Sequence, residues 1–284
     1  MKWLLPSKQD FLNSEQTHIC CIISIESSSN SFYLLDTNIK AGSILKSELH
    51  LPFTSLKNFC ICNLPDNEFF AFTNAMDYSY DFNQENFEER LVFIIDKNRE
   101  IRILKSTFPS YGASSVYHNG IVYVFCVNYS GEPGEGPEKF IIKENRWVKL
   151  PPFPDIPDYS WCCEFFSMIL VSSLGNSIVY LYDIYSNSYS DLPLNLSDSS
   201  AKLIFKHKEK AYLIETKGNL YESGWKDPYE WKISCKADSP FRNEMVYFVS
   251  NTLYNDSWYF SHDKLVYQFK LKNKRLKVFK ELNL

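Results

Sequence analysis

One phrase recurs six times along this chain and leaves few folds open to it. An aromatic-aliphatic run ends in an acidic or polar residue, a short polar turn follows, and a second apolar run closes the phrase, often on a Leu-Pro step. It reads FYLLDTNIKAGSILKSEL from Phe32, VFIIDKNREIRILKS from Val92 and KFIIKENRWVKLPPFP from Lys139. It returns as VYLYDIYSNSYSDLP from Val179, NLYESGWKDPYEWKIS from Asn219 and LVYQFKLKNKRLKVF from Leu265. Hairpins repeated at a period of roughly 40 to 60 residues predict a β-propeller, because one small sheet cannot bury both faces unless its neighbours stack on it.

Between these phrases lies a second set of hairpins. The clearest runs from Ser114 to Phe125, SSVYHNGIVYVF, where Asn119-Gly120 joins two β-rich runs. Both residues of such a turn must accept positive φ, which makes Asn-Gly a strong hairpin signal. Equivalent pairs begin at Asn58, Trp161, Leu203 and Met245, and helix-period patterns are scarce. The expected fold is therefore all-β, a propeller of six four-stranded blades in one domain over residues 1–284, with five units complete. The first unit has HICCIISI from His18 but no obvious second inner strand. Residues 1–11 supplying that strand, a mixed seal of the ring, or a truncated chain all remain open at this stage, so the role of residues 1–17 in closure is undecided.

The units resemble kelch repeats over about residues 18–282. Kelch units carry an aromatic-acid step and, several residues later, a Trp that packs between blades. Tyr182-Asp183 followed by Tyr189, Phe140 followed by Trp147, and Tyr221-Glu222 followed by Trp231 match that later part. The double glycine of the family is absent, with Cys126-Val127, Ser172-Ser173 and Glu215-Thr216 standing where it would fall. The Gly-His and Trp-Asp punctuation of WD40 repeats is missing. The resemblance implies a kelch-like propeller that binds another protein on one face, as an adaptor or scaffold, with Arg242 as a rim contact.

Charge and cysteine usage narrow the function. A formal net charge of −4 over 284 residues argues against a general nucleic-acid binder, which needs a basic footprint. No run is long and apolar enough for a signal peptide or a membrane span. The eight cysteines then read as reduced thiols of a cytoplasmic protein. They lack the paired loop spacing of a zinc site, so neither a metal nor a cofactor is expected. The dense basic run Lys270, Lys272, Lys274, Arg275, Lys277 and Lys280 alternates with apolar residues, which suits an outermost strand guarded against edge-to-edge pairing.

Two insertions stand out as binding candidates. In an up-and-down blade, the loops after the second and fourth strands emerge on one face. The second blade carries TNAMDYSYDFNQENFEER from Thr73 in that place, and the third carries NYSGEPGEGPE from Asn128. Tyr78, Tyr80, Phe82 and Phe87 interleave with Asp77, Asp81, Glu85, Glu88 and Glu89, and Glu132 and Glu135 lie in the neighbouring insertion. Aromatic residues mixed with acid on a long loop suit a recognition surface for a partner protein with a basic segment. A solvated insertion with no partner is the alternative.

Catalysis has little support in the sequence. The five histidines are scattered, and no nucleophile elbow, phosphate loop or metal-type histidine spacing appears. The expected function is non-enzymatic. The rival is a sugar-binding or galactose-oxidase-like oxidoreductase propeller with its site at the central channel.

Overall fold

A computed structural model of the chain describes residues 18–24, 32–49, 59–73, 92–104, 111–127, 136–153, 160–173, 178–192, 194, 201–207, 210–215, 219–223, 230–236, 251–262, 265–273 and 275–281. They form six antiparallel sheets in chain order, one per recurring unit. Blade 1 comprises β1 (His18–Ser24), β2 (Phe32–Asn38) and β3 (Ser43–Leu49), and blade 2 comprises β4 (Phe59–Asn63), β5 (Phe69–Thr73), β6 (Val92–Ile95) and β7 (Ile101–Ile103). Blade 3 holds β8 (Tyr111–His118), β9 (Ile121–Val127), β10 (Glu138–Ile141) and β11 (Arg146–Lys149), and blade 4 holds β12 (Ser160–Phe165), β13 (Met168–Ser173), β14 (Val179–Asp183) and β15 (Ser188–Leu192). Blade 5 is β16 (Ala201–His207), β17 (Lys210–Glu215), β18 (Asn219–Ser223) and β19 (Trp231–Lys236), and blade 6 is β20 (Asn251–Tyr254), β21 (Ser257–His262), β22 (Leu265–Lys270) and β23 (Arg275–Glu281). Every strand pairs with its sequence neighbour inside the blade. The all-β, six-bladed expectation holds, with three strands in blade 1 among the described residues.

The middle strands explain why the blades must stack. Successive side chains of a strand point to opposite faces, and here both faces are apolar. In blade 4, Met168, Leu170, Val179 and Leu181 pack toward Ile204, Ala211 and Leu213 of blade 5. The residues between them, Ile169, Val171, Tyr180 and Tyr182, pack toward Tyr123 and Phe125 of blade 3. Blade 5 repeats the division, sending Tyr212 and Ile214 to Trp258 and Phe260 of blade 6. Blades 2 and 3 share Phe70, Phe72, Val92 and Ile94 with Val122, Val124 and Phe140. Blades 3 to 6 are thus each half of two cores, and their middle strands read as continuous apolar runs rather than alternating ones.

Aromatic residues carry much of this contact. Trp147 lies 5.0 Å from Phe140 of its own blade and 6.1 Å, edge-on, from Phe70 of blade 2. Tyr189 joins Phe153 and Tyr182 at the seam between blades 3 and 4, and Trp231 packs on the seam between blades 4 and 5. Phe205 stacks on Trp258 across the next seam at 4.5 Å and 8°. Offset and edge-on ring pairs of this kind add about 0.5–1.5 kcal/mol beyond the area they bury.

The ring closes through β1. On one side β1 touches β4, and on the other it touches β20 and β21. Ile19 and Leu35 of blade 1 bury against Tyr259 and Val266 of blade 6, with Phe279 edge-on to Tyr259 at 5.1 Å. Residues 1–17, one of the sources proposed for a further inner strand, lie outside the described residues.

Several tight turns sit where the sequence asks for them. Asn119 and Gly120 have φ of 48° and 81°, and Asn255 and Asp256 have 47° and 53°. The β6–β7 and β12–β13 turns depart from this, with Arg99 at φ 71° and Phe166 at φ 58°. A bulky side chain there is strained; the Phe166 ring meets Phe165 at 4.8 Å.

Candidate functional site

The strand order gives the ring two unlike ends. Short turns between the first and second strands, and between the third and fourth, gather at one end. The opposite end receives the segments after second strands and the crossings from blade to blade. Phe72 pairs with Val92, so residues 74–91 leave and re-enter blade 2 at this crossing end. Glu138 pairs with Val124 while β9 runs on to Val127, which puts both ends of residues 128–135 at the same end of blade 3.

All the binding residues singled out from the sequence belong to segments anchored at that end. Asp77, Tyr78, Tyr80, Asp81, Phe82, Glu85, Glu88 and Glu89 fall in residues 74–91, Glu132 and Glu135 in 128–135, and Arg242 in 237–250. All eleven lie outside the described residues. What the structure supplies is their anchorage, with the two acidic insertions rooted on adjacent blades.

The turn end carries a set of polar clasps that sequence reading missed. Asp36, buried in β2, accepts a hydrogen bond from His18 Nδ1 at 2.8 Å and an ion pair from Arg99 in the β6–β7 turn of blade 2. Arg99 also donates to the carbonyl of Asn67 at 3.3 Å and lies 5.5 Å from the Phe69 ring. His118 of blade 3 donates from Nδ1 to Glu164 of blade 4 at 2.8 Å, while Asn119 Nδ2 donates to its Nε2 at 3.0 Å. The amide requires a lone pair on Nε2, so the proton sits on Nδ1 and points at the carboxylate. His207 of blade 5 meets Asp256 of blade 6 at 2.9 Å. Three seams are therefore pinned at the same end by residues 46 to 63 positions apart in sequence, His207 and Asp256 among them. Nothing short-range in the chain announces them.

The inner strands of blades 2 to 4 bring thiols close to hydroxyls. Cys60 Sγ lies 3.4 Å from Ser115 Oγ across the seam between blades 2 and 3. Burial pushes the thiols of Cys62, Cys162 and Cys163 above their ordinary value; neighbouring Cys60 adds to the rise at Cys62, and Lys206 opposes it at Cys163. Thiols held protonated in this way are poor nucleophiles and poor metal ligands. Burial also raises the Tyr182 phenol, to about 12, with Tyr123 and Asp183 adding to it. Among the described residues, no group of three or more His, Cys, Asp or Glu side chains is placed to hold a metal ion. No described helix is long and apolar enough to cross a membrane.

At the outer wall, β23 is the last strand of blade 6, where the basic run was expected. Arg275 and Lys277 are exposed, as are Lys270 and Lys272 beside them. Val278 is 52% exposed.

No protein-family model matches this chain, and no curated protein sequence matches it either. Among solved structures, the chain is similar to one described as YCF48 bound to D1 peptide. The two share 9% identity over 94% of this chain and 82% of the other, with a TM-score of 0.55. At that identity the likeness speaks for the fold, and with the six stacked sheets it makes this chain a six-bladed β-propeller.

Proposed function

We propose that this propeller is a non-enzymatic interaction module of kelch type, an adaptor or scaffold in the cytoplasm. It binds a partner protein with a basic segment through the crossing end of the ring. The observation that carries this reading is the anchorage of both acidic insertions on adjacent blades at one end. Five carboxylates of residues 74–91, interleaved with four aromatic rings, are thereby rooted beside the two of residues 128–135. Acid draws a basic partner, and rings supply the anchors that dominate binding energy at interfaces. The similar solved structure is bound to a peptide, which supports a peptide-binding use of the same architecture here. Thiols held protonated by burial and histidine side chains engaged in seam clasps favour binding over catalysis.

The test is binding of fluorescent Lys/Arg-rich peptides, followed by anisotropy, to the intact chain and to a variant with residues 77–89 replaced by a Gly/Ser linker. We expect salt-sensitive binding to the intact chain and at least about a tenfold loss in the variant, the scale of removing one or two charged or aromatic anchors. Equal affinity for both proteins would move the site off this insertion.

A further inference from the structure

The seam that closes the ring, between blades 6 and 1, differs from the others in charge. Strand registers fix which side chains face it. Tyr259 and Val266 of blade 6 bury against Leu35 of blade 1, and directly paired residues of antiparallel strands share a face. Gln268 pairs with Tyr259 and with Lys277, so Lys277 faces blade 1. Lys270 and Arg275, paired with each other two positions along, face it too. From blade 1, Lys46 pairs with Leu35 and so faces blade 6, its Nζ 4.1 Å from the centroid of the Tyr33 ring. All four cations are exposed, and no described carboxylate pairs with any of them. Glu48, paired with Tyr33, is the one acid that the registers place beside them among the described residues. Elsewhere, Arg146 pairs with Glu144 at 2.7 Å, Lys149 with Glu138 at 2.8 Å and Lys232 with Glu222 at 3.7 Å. Strand β7 carries one cation, Arg102, and β15 carries none.

Two features of this set go beyond guarding a strand edge. Cations from two blades face one seam, whereas a guard needs only a charge on the exposed strand. Lys270 and Arg275 also stand directly opposite, with Cβ atoms roughly 5 Å apart, and like charges so placed repel. An anion bridging them turns that repulsion into attraction. Because side chains that face the seam are nonetheless exposed, the blades part there and leave a groove. Its floor is apolar, since Ile44 of blade 1 and Phe279 of blade 6 are half-buried on the closing cluster. Arg275 and Lys277 lie about 6.6 Å apart along the strand, the spacing of alternate side chains in any extended chain.

We propose that this outer groove binds an extended acidic segment of a partner protein. Lys46, Lys270, Arg275 and Lys277 take its carboxylates, and Ile44 and Phe279 receive an apolar side chain between them. Cations that look across a groove suit a chain better than the plane of a membrane. The net charge of −4 suits an acidic peptide better than a nucleic acid, which needs a broad basic footprint. The site is built without the acidic insertions, so one ring holds two partners of opposite charge.

The test is anisotropy of a labelled peptide with Glu at alternate positions, beside its Gln counterpart, titrated with the full chain. The Glu peptide is expected to bind and the Gln peptide not, with affinity falling as salt is raised. Lys270→Gln/Arg275→Gln should weaken binding at least about tenfold. Its melting temperature should stay equal or rise, because a repulsive pair is gone, so the loss is not misfolding. Lys97→Gln/Arg102→Gln on blade 2 should leave affinity unchanged. Replacing residues 77–89 by a Gly/Ser linker should do the same, which separates this site from the crossing end. Equal loss in the blade 2 variant, or no preference for Glu over Gln, overturns the proposal. So does a Lys270→Gln/Arg275→Gln variant that aggregates with peptide affinity intact, since the cations would then be edge guards. Phosphatidylserine vesicles or duplex DNA held more tightly than the peptide by the same cations would overturn it as well.

Discussion

Blade 4 and blade 1 occupy equivalent places in the ring and are held there by different physics. Blade 4 is apolar on both faces, and its seam with blade 5 buries eleven residues in one cluster. Blade 1, with three described strands, meets blade 6 through a cluster of five buried residues. It meets blade 2 through the buried Asp36–Arg99 pair and His18. Packing holds the first blade, whereas the second is oriented by charges that tolerate one arrangement. A thin seam gains little from area, and a buried ion pair gains little net energy after desolvation. Such a pair does penalise every misaligned closure, in which an ion would be left bare.

The comparison can be broken at its strongest point. Leu170→Ala, at a fully buried position shared with blade 5, should cost about 4 kcal/mol, the upper range for a core truncation, read from urea unfolding. Arg99→Ala leaves the Asp36 carboxylate with His18 as its one described side-chain partner and should cost about 3 kcal/mol. The double variant Asp36→Leu/Arg99→Leu should recover most of that loss. If it does not, the pair contributes attraction and the orientation argument fails. Ile19→Ala in the closing seam should cost about 2 kcal/mol, less than Leu170→Ala because fewer neighbours surround the cavity; equal losses would erase the contrast.

Alkali sharpens it further. The thiols of Cys62, Cys162 and Cys163 keep their protons in the folded state at a pH where the unfolded chain releases them, above an ordinary value of 9.0. The unfolded state then binds fewer protons, so stability falls as pH rises. The slope is about 1.4 kcal/mol per pH unit for each thiol still protonated, and stability from this source is fully present below pH 9. Cys62 belongs to blade 2 and Cys162 and Cys163 to blade 4, so hydrogen exchange under alkaline conditions should loosen those two blades as pH rises. The smallest effect is expected from His118→Ala, about 1 kcal/mol, because it removes one hydrogen bond to Glu164 and leaves that carboxylate partly solvated.

Most of the fold was legible because its main constraint is local. Runs such as VYLYD and MILVSS are apolar at consecutive positions, which forbids a one-sided sheet, and the turn at Asn119-Gly120 marks the hairpin between β8 and β9. What the sequence could not reveal is which carboxylate a histidine meets. His118 and Glu164 lie 46 residues apart, Asp36 and Arg99 lie 63 apart, and each looks like a solvated charge until neighbouring blades are stacked. Phe166 also misled: its side chain suggests strand, yet it occupies a left-handed turn position. The binding residues were chosen for composition and loop position, and the structure speaks only to where their segments are rooted.

The seam through β1 also sets a timetable. Ile19 and Tyr259 touch across 240 residues of chain, whereas every other seam joins neighbouring blades. Closing a loop of that length costs about 3 kcal/mol more in chain entropy than closing one of ten residues, and the contact rewards that cost only after the intervening blades have shortened the gap. Assembly therefore proceeds around the arc and meets last where blade 6 arrives at blade 1. At neutral pH the same junction is expected to part first, so that transient opening would be the swing of a clasp bracelet at its fastening rather than a general loosening of its links.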